Sequence, residues 1–264
     1  MQEAITVLLI TYNEAPNLRR TLEKLAWASA IVVVDSFSTD DTIEIARSFP
    51  QVKIVQRRFD HFANQCNFGL ENCQSDWVLS LDADYVLSDG LISELRDWSP
   101  KPGINACFAR FAYCVFGRPL RGSLYPPRAI LFRRDSCHYY QDGHAHALRI
   151  EGGTDWLSNI VFHDDRKSLG YWVAAQDRYA TWEIAKLAEL RPNQLSVQDR
   201  IRRQIFFAPT LVFFYTLLVK GLVFDGWAGW FYVFQRTLVE LLISLRLLQA
   251  RFPEPSLCKD SGPR

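Results

Sequence analysis

The feature that most constrains this chain is a regular alternation of short apolar runs with amphipathic stretches in its N-terminal part. Runs rich in β-branched residues, such as Ile31–Val34, suit strands that are buried on both faces, as in a parallel sheet covered by helices. The apolar runs are Ala4–Ile10, Ala30–Val34, Val52–Val55 and Trp77–Leu81, and the amphipathic stretches are Pro16–Trp27, Asp40–Phe49, His61–Cys73 and Leu91–Trp98. The alternation predicts an α/β fold in which a mixed, mostly parallel sheet is flanked by helices.

The pattern changes after about Asn105, where extended pieces separated by turn residues replace the alternation. These pieces, which we expect to complete the sheet, are Ala106–Phe116, Arg128–Arg133, Ala147–Ile150 and Asn159–Phe162. An aromatic-rich stretch from Leu169 to Leu190 predicts a helix that Pro192 ends. The sequence therefore predicts a main domain over residues 1–190, an apolar helical appendage over residues 191–252 and a polar tail over residues 253–264.

Composition and charge restrict the class of protein. A hydrophobic content of 48% and a charged content of 22% are close to globular averages, which excludes a disordered or coiled-coil chain. A net charge of +1 lacks the basic surplus of nucleic-acid-binding domains, so we expect no nucleic-acid partner. The six cysteines form no C-x-x-C pair and the first residues lack a signal-peptide layout, which predicts reduced thiols and a cytoplasmic protein.

Polar side chains follow three of the predicted strands at the points where those strands end. They are Thr11–Glu14, Asp35–Ser36 and Asp82–Asp84. Ligands of parallel α/β sheets bind outside the carboxyl ends of the strands, so these residues are candidates for one site. The first turn has no G-x-G-x-x-G and the chain has no P-loop motif, which disfavours NAD binding and a P-loop ATPase or kinase.

The turn Asp82-Ala83-Asp84 carries two carboxylates separated by one residue. Mg²⁺ and Mn²⁺ prefer carboxylate oxygens together with phosphate oxygens, so this turn predicts a metal–diphosphate site. On its own such a pair is more often a solvated loop. The polar groups that end the neighbouring strands favour the metal interpretation.

Three motifs together resemble those of glycosyltransferase family 2. They are LITYNE at Leu9–Glu14, VVDSFSTDDT at Val33–Thr42 and LSLDAD at Leu79–Asp84. Over roughly residues 4–180 the chain is similar to a bacterial branch that contains lipopolysaccharide core glucosyl- and heptosyltransferase-like enzymes. This resemblance implies a GT-A fold and an inverting, metal-dependent transfer of a hexose from a UDP-sugar to a saccharide of the lipopolysaccharide core or another cell-envelope glycan.

The resemblance also implies roles for residues at the strand ends. Thr11, Asn13 and Glu14 would line the nucleotide site, and Asp35 would recognise the base or the ribose. Asp82 would bind both the donor and the metal. For Asn13 and Glu14 the alternative is helix capping ahead of Pro16.

Two further groups would complete the donor and metal sites. Gln65 lies in a stretch that resembles a donor-side helix, in which relatives often have a basic residue where this chain has Cys66. Arg57, Arg58 or Arg128 are substitutes for that phosphate contact. Asp84 and His163 would join Asp82 as ligands of Mg²⁺ or Mn²⁺, with a structural role as the alternative for His163.

Inverting transfer needs a base that takes the proton of the acceptor hydroxyl. In the resembled family this base is an acidic residue downstream of the metal motif, and Asp142 lies in the corresponding region. His144 or His146 would share or replace this role, or would form a structural polar turn.

The apolar region predicts contact with a membrane. Residues Ile205–Val219 span about 22 Å as a helix, which is shorter than a bilayer core of about 30 Å. We therefore expect a helical hairpin at the cytoplasmic side of the inner membrane, peripheral or monotopic, that presents a lipid-anchored acceptor to the enzyme. Residues expected near headgroups are Trp227, Trp230, Tyr232 and Arg236. A water-soluble appendage or an oligomer contact is the alternative.

Two other functions fit the same residues. A glycosyltransferase that uses a polyprenyl phosphate carrier would need little base assistance, because its acceptor is already an anion. An inactive sugar-nucleotide-binding membrane scaffold would keep the nucleotide site without the reaction. The sequence leaves the donor sugar, the acceptor and the oligomeric state open.

Overall fold

The computed structural model describes residues 4–142 and 145–252, without the side chains of Asp142, Ala145 and His146. Its N-terminal part alternates strands and helices as the apolar periodicity predicts. The strands are β1 (Ile5–Thr11), β2 (Ala30–Asp35), β3 (Val52–Gln56), β4 (Trp77–Asp82) and β5 (Tyr85–Leu87), and the helices are α1 (Ala15–Lys24), α2 (Thr42–Arg47), α3 (Phe62–Glu71) and α4 (Asp89–Arg96). Of these nine elements, only the short strand β5 was not predicted from the sequence.

The second part of the chain completes the sheet and then turns helical. The strands are β6 (Ile104–Val115), β7 (Arg118–Pro119), β8 (Arg128–Arg133), β9 (Cys137–Asp142), β10 (Ala145–Ile150) and β11 (Gly153–His163). The helices are α5 (Leu169–Glu189), α6 (Val197–Arg203), α7 (Ala208–Phe214) and α8 (Gly226–Arg251), and a π-helical turn, Tyr215–Val219, extends α7. The predicted helix at Leu169–Leu190 is therefore confirmed.

The main sheet has the strand order β3-β2-β1-β4-β8-β6-β11-β5 in the described part of the chain. Strands β3, β2, β1 and β4 are parallel to one another, as are β6 and β11, whereas β8 and β5 run antiparallel to their neighbours. This arrangement confirms the predicted mixed α/β sheet with flanking helices. Strands β9 and β10 form a separate antiparallel hairpin that packs on α3 through Asn67 and Tyr139.

The register of the sheet brings the predicted strand ends to one edge. Thr11 of β1 pairs with Asp35 of β2, and Ile10 of β1 pairs with Asp82 of β4. Continuous apolar runs fill both faces, since Val7 and Leu9 point into one core and Leu8 into the other, all three with no exposed surface. The buried strands therefore hold a rigid edge at which polar side chains are presented.

The C-terminal helices pack against the main domain. Tyr232 and Val233 of α8 share a buried cluster with Val115 of β6 and Leu120. The predicted boundary at residue 190 thus separates segments that share a core, and the boundary itself stays a prediction. In the described part of the chain no single helix is long and apolar enough to cross a membrane. The segments Ala208–Val219 and Leu222–Arg251 meet this requirement of length and composition only when taken together, and the chain bends by 69° between them.

Of the four residues expected near lipid headgroups, Tyr232 is inside the protein and Arg236 is half-buried. Tyr232 is 1% exposed, and its ring lies 4.7 Å from that of Tyr113. The guanidinium of Arg236 stacks over Tyr232 and Trp172, and its Nε is buried. Tyr232 was predicted wrongly, because composition does not reveal which face of α8 packs on the sheet. Trp227 and Trp230 are exposed, and the contact of these two residues and of Arg236 with headgroups stays a prediction.

Candidate functional site

The edge formed by the ends of β1, β2 and β4 also receives the end of β11. His163, the last residue of β11, pairs in register with Tyr85 of β5, directly after the Asp82–Asp84 turn. The backbone amide of Asp164 donates to the carbonyl of Asp84 at 3.0 Å. The fold therefore joins a late strand to the aspartate turn, as the candidate metal set requires.

Asp84 and His163 form a largely enclosed polar pair at this edge. His163 Nε2 lies 3.1 Å from Asp84 Oδ2, and the two side chains are only 16% and 13% exposed. Burial lowers the pKa of His163, but the charge and hydrogen bond of Asp84 outweigh burial and raise it overall. Burial raises the pKa of Asp84, and His163 reverses this so that it is lowered overall. The pair therefore behaves as an ion pair, and a cation would bind it only after His163 Nε2 loses its proton.

The same two residues fit a divalent metal. Asp84 Oδ1 and His163 Nδ1 are buried and have no hydrogen-bond partner, which is unusual for buried polar atoms. Two ligands at right angles, each about 2.1 Å from one octahedral ion, lie about 3.0 Å apart. The 3.1 Å separation of Nε2 and Oδ2 matches that spacing. In the described residues no three His, Cys, Asp or Glu side chains form a complete metal cluster, so Asp84 and His163 would need further oxygens.

Asp82 lies near this pair but does not complete a three-residue metal cluster with it. It ends β4, and its charge acts on His163 and on Arg128 of β8. The guanidinium of Arg128 lies 5.2 Å from the ring centre of Tyr125, in the loop before β8. Of the basic residues considered as phosphate contacts, Arg128 is thus the one that the structure brings beside Asp82.

Arg57 and Gln65 instead belong to a local structural network. Both Arg57 guanidinium nitrogens donate to Asp60 at 2.8 Å, and Arg57 Nη1 also donates to Gln65 Oε1 at 2.9 Å. Gln65 is completely buried and donates to the hydroxyl of Ser36 at 2.9 Å. Cys66 is buried too, and burial raises the pKa of its thiol. Gln65 therefore supports the loop after β2 in this conformation, and its contact with the donor stays a prediction.

Asp35 is completely buried as well. Its carboxylate accepts hydrogen bonds from the Thr11 hydroxyl at 3.2 Å, the Ser38 amide at 2.9 Å, the Ser38 hydroxyl at 2.5 Å and Gln56 Nε2 at 3.1 Å. A carboxylate has about four acceptor positions, and these donors fill them. Thr11 is likewise 1% exposed. In this conformation both residues brace the loop after β2, so a direct contact of either with a nucleotide requires that loop to move.

Asn13 and Glu14 lie nearer the open edge. Asn13 has a positive φ of 52°, and its Oδ1 accepts from the Thr39 amide at 2.8 Å. Glu14 precedes α1 but makes no side-chain cap; its carboxylate pairs with Lys167 and accepts from Asn17 Nδ2 at 2.9 Å. Burial raises the pKa of Glu14 to about 8 although Lys167 lowers it, whereas burial lowers the pKa of Lys167 and the charges of Glu14 and Asp165, with the Glu14 hydrogen bond, together raise it. Capping by the Glu14 side chain is therefore not observed.

Sequence reasoning missed Lys167 and three tyrosines. Lys167 follows His163 in the segment His163–Lys167, and it closes the site opposite Glu14. The rings of Tyr85, Tyr113 and Tyr125 surround that of His163 at centroid distances of 5.4, 4.8 and 4.5 Å. Lys167 could have been identified from the sequence, because it is only four residues after His163. Tyr85 had the same kind of signal, because it directly follows Asp84, whereas Tyr113 and Tyr125 had none, since they come from a distant strand and a loop.

The candidate base falls outside the described side chains. Asp142 ends β9, where its backbone pairs with Ala145 of β10, but its side chain is outside the description. His144 and the side chain of His146 are also outside it. Their catalytic roles stay predictions.

Known proteins resemble this chain in sequence and in fold. The model of the family described as glycosyl transferase family 2 matches residues 6–148. An uncharacterized glycosyltransferase of Rickettsia felis is 35% identical over 95 residues, which is 36% of this chain and 33% of the relative. The lipopolysaccharide core biosynthesis glycosyltransferase LpsC of Rhizobium meliloti is 31% identical over 91 residues, which is 33% of this chain and 34% of the relative.

Among solved structures, the mannosyltransferase PcManGT of Pyrobaculum calidifontis, in complex with GDP-Man and Mn²⁺, superimposes with a TM-score of 0.55 at 16% identity. The superposition covers 97% of this chain and 89% of that one, and it shows a shared GT-A fold. The curated relatives match over about a third of their own length.

Proposed function

This chain belongs to glycosyl transferase family 2, and from that membership we propose that it uses a divalent cation to transfer a hexose from a UDP-sugar to a lipid-anchored saccharide of the cell envelope. The observation that carries the proposal is the enclosed Asp84–His163 pair, whose Oδ2 and Nε2 atoms lie 3.1 Å apart, the spacing of two neighbouring ligands of one ion. Mn²⁺ in the complex of PcManGT supports the choice of Mg²⁺ or Mn²⁺.

The donor side of the site is proposed to hold the diphosphate. Asp82, Asp84 and His163 would hold the cation, which neutralises the negative charge of the leaving diphosphate when bound. Arg128 lies beside Asp82 and would bind a phosphate oxygen, as an arginine fork does. Asn13 would contact the nucleotide from the turn after β1, where Oδ1 already fixes the loop at Thr39.

The chain's own acid–base chemistry is proposed to come from the β9–β10 hairpin. An acceptor hydroxyl oxygen attacks the anomeric carbon, the bond from that carbon to the diphosphate oxygen breaks, and the carboxylate of Asp142 takes the hydroxyl proton. UDP leaves with the electron pair of the broken bond. Attack opposite the leaving group inverts the anomeric configuration, as the family resemblance implies.

The C-terminal helices are proposed to hold the enzyme at the cytoplasmic face of the inner membrane. Large apolar side chains are exposed on these helices; they include Phe206, Phe207, Leu211, Phe214, Leu218, Val219, Phe224, Trp227, Phe234 and Leu245. Lys220 and Arg121 lie at the bend between α7 and α8, where cations would meet anionic headgroups. An apolar surface of this extent on a single chain is typical of a membrane or protein contact.

A screen of nucleotide sugars tests the donor and the metal together. The purified chain is heated with UDP-sugars or GDP-sugars, with Mn²⁺ or with a chelator, and slow hydrolysis is measured in parallel. We expect stabilisation and hydrolysis with a UDP-hexose and Mn²⁺ only. Asp84→Ala should abolish both, whereas Asp89→Ala, whose side chain is 87% exposed, should behave as the wild type. Stabilisation by GDP-sugars alone would overturn the UDP assignment.

The acceptor and the membrane require separate measurements. We expect the chain to co-sediment with vesicles of phosphatidylethanolamine and phosphatidylglycerol in equal parts, and full recovery in the supernatant would refute the membrane model. Asp142→Asn should abolish transfer to a saccharide hydroxyl while UDP binding is kept. If Asp142→Asn is fully active, a phosphate acceptor such as a polyprenyl phosphate replaces the saccharide. Binding of UDP with no hydrolysis or transfer would point to an inactive scaffold.

A further inference from the structure

The loop Leu120–Tyr125, between β7 and β8, is attached to the hairpin of α7 and α8. The Arg121 amide and its Nε donate to the two carboxylate oxygens of Asp225, both at 3.0 Å. The Leu124 amide donates to the hydroxyl of Tyr232 at 2.8 Å. Asp225 and Tyr232 are 6% and 1% exposed, so both acceptors are shielded from water, whereas the Arg121 side chain is 66% exposed.

The same loop packs closely on the bend of the hairpin. A Cβ atom added to Gly122 would lie 2.9 Å from the carbonyl oxygen of Lys220, which is too close for an ordinary contact. Leu120 is buried against Leu217 and Leu222. The polar and apolar contacts together leave the loop little freedom to move independently of the hairpin.

At its other end the loop places Tyr125 inside the metal site. The Tyr125 ring packs edge-on against His163 at a centroid distance of 4.5 Å, and its hydroxyl hydrogen-bonds that of Tyr85. The guanidinium of Arg128 stacks on the same ring. Tyr125 therefore contacts both a candidate metal ligand and a candidate phosphate-binding residue.

We infer that the C-terminal hairpin is a positioning element of the metal–nucleotide site, in which Asp225 and Tyr232 hold the loop that keeps Tyr125 against His163 and Arg128. The inference rests on the proposed function of that site. A connecting loop without such anchors is mobile on its own. Once detached, Tyr125 would leave His163 and Arg128 free to adopt other rotamers, and the entropy of ordering them would weaken binding of the metal and the diphosphate.

Three variants loosen this attachment in different ways. Tyr232→Phe removes one hydroxyl and keeps the ring against Tyr113. Asp225→Asn weakens the contact with Arg121, and Gly122→Ala pushes the loop from Lys220 without removing a polar group. The matched control is Asp177→Asn, which breaks the pair between Asp177 of α5 and Arg246 of α8, away from the loop.

The readout is the Mn²⁺ concentration required for half-maximal binding of UDP to the full chain in detergent, with GDP as a second probe. We expect it to rise roughly threefold to tenfold in each of the three variants, as for one lost hydrogen bond, and to stay unchanged in Asp177→Asn. The melting temperature should fall by no more than about 4 °C, so that weaker binding is not a consequence of unfolding.

A double-mutant cycle identifies the route of the effect. If the hairpin acts through Tyr125, then Tyr232→Phe should add nothing once Tyr125→Ala is present. The inference is overturned if the three variants require the same Mn²⁺ concentration as the wild type, or if the two substitutions are fully additive. Absence of Mn²⁺-dependent binding of UDP and GDP in the wild type would instead refute the proposed function, and the inference with it.

Discussion

Replacing Arg202 with methionine is expected to destabilise the chain strongly. Arg202 of α6 donates from Nη1 to Glu183 of α5 at 2.7 Å, and from Nε and Nη2 to Glu240 of α8 at 3.1 to 3.3 Å. The side chains of Arg202, Glu183 and Glu240 are only 8%, 4% and 8% exposed. This buried triad is the main polar connection between the last helix of the main domain and the hairpin.

The magnitude follows from what Arg202→Met leaves behind. Methionine keeps the apolar stem but removes the charge, so that both buried carboxylates lose the guanidinium that they share. Removing one member of a buried ion pair costs about 3–5 kcal/mol. A chain of this size loses about 2–4 °C in melting temperature per kcal/mol, so a decrease of roughly 6–20 °C is expected.

Urea and thermal unfolding of the detergent-solubilised chain, followed by tryptophan fluorescence, measure this loss. The combined variant Arg202→Met, Glu183→Gln and Glu240→Gln should recover most of it, because no uncompensated charge is then buried. Arg246→Met is the control, since its pair with Asp177 is 32% and 47% exposed and is worth about 0–1 kcal/mol. A loss below about 1 kcal/mol in Arg202→Met, equal to that of the control, would refute the reasoning.

Three other variants test the site and the membrane surface. His163→Ala should raise the Mn²⁺ concentration needed for UDP binding by about tenfold to a hundredfold, since loss of even an outer-shell partner of a metal ligand has that effect. An unchanged Mn²⁺ requirement would exclude His163 as a ligand. Asp35→Asn should lower the free energy of unfolding by about 1–3 kcal/mol in denaturant titration, because buried donors lose their acceptor; an equally stable variant that binds UDP poorly would assign it to the nucleotide. The double variant Phe224→Ser and Trp227→Ser should reduce co-sedimentation with the anionic vesicles at least about tenfold, since each side chain contributes about 1.5–3 kcal/mol when buried. Unchanged binding would exclude the surface around Phe224 and Trp227 from membrane contact.

Much of the first half of the fold is predictable because its signals are local. The apolar run before Thr11 and the run before Asp82 each specify a strand without any reference to distant residues, and β1 and β4 end within one residue of the predicted positions. Strand β9 was missed, since Cys137–Asp142 contains no apolar run. Its contacts with α3 stabilise it instead.

The candidate site divides in the same way. Asp82, Asp84 and His163 were identified from motif and context, and the structure brings Asp84 and His163 into contact although they are 79 residues apart. The ion pair of Glu14 with Lys167 spans 153 residues and carried no joint signal. The burial of Asp35 could not be predicted from the sequence either, since an aspartate at a strand end can face solvent or turn inward and hydrogen-bond to its own loop.

The sequence by itself determined the alternating strands and helices, the edge at which their polar ends meet, and the family to which the chain belongs. Each of these depends on short-range periodicity or on motifs of adjacent residues. Only the tertiary structure decided which polar groups face the open edge, that Tyr125 packs on His163, and that α8 turns Tyr232 and Arg236 inward. Those outcomes depend on contacts between segments far apart in the chain, where packing and desolvation select one arrangement among many that the local sequence permits.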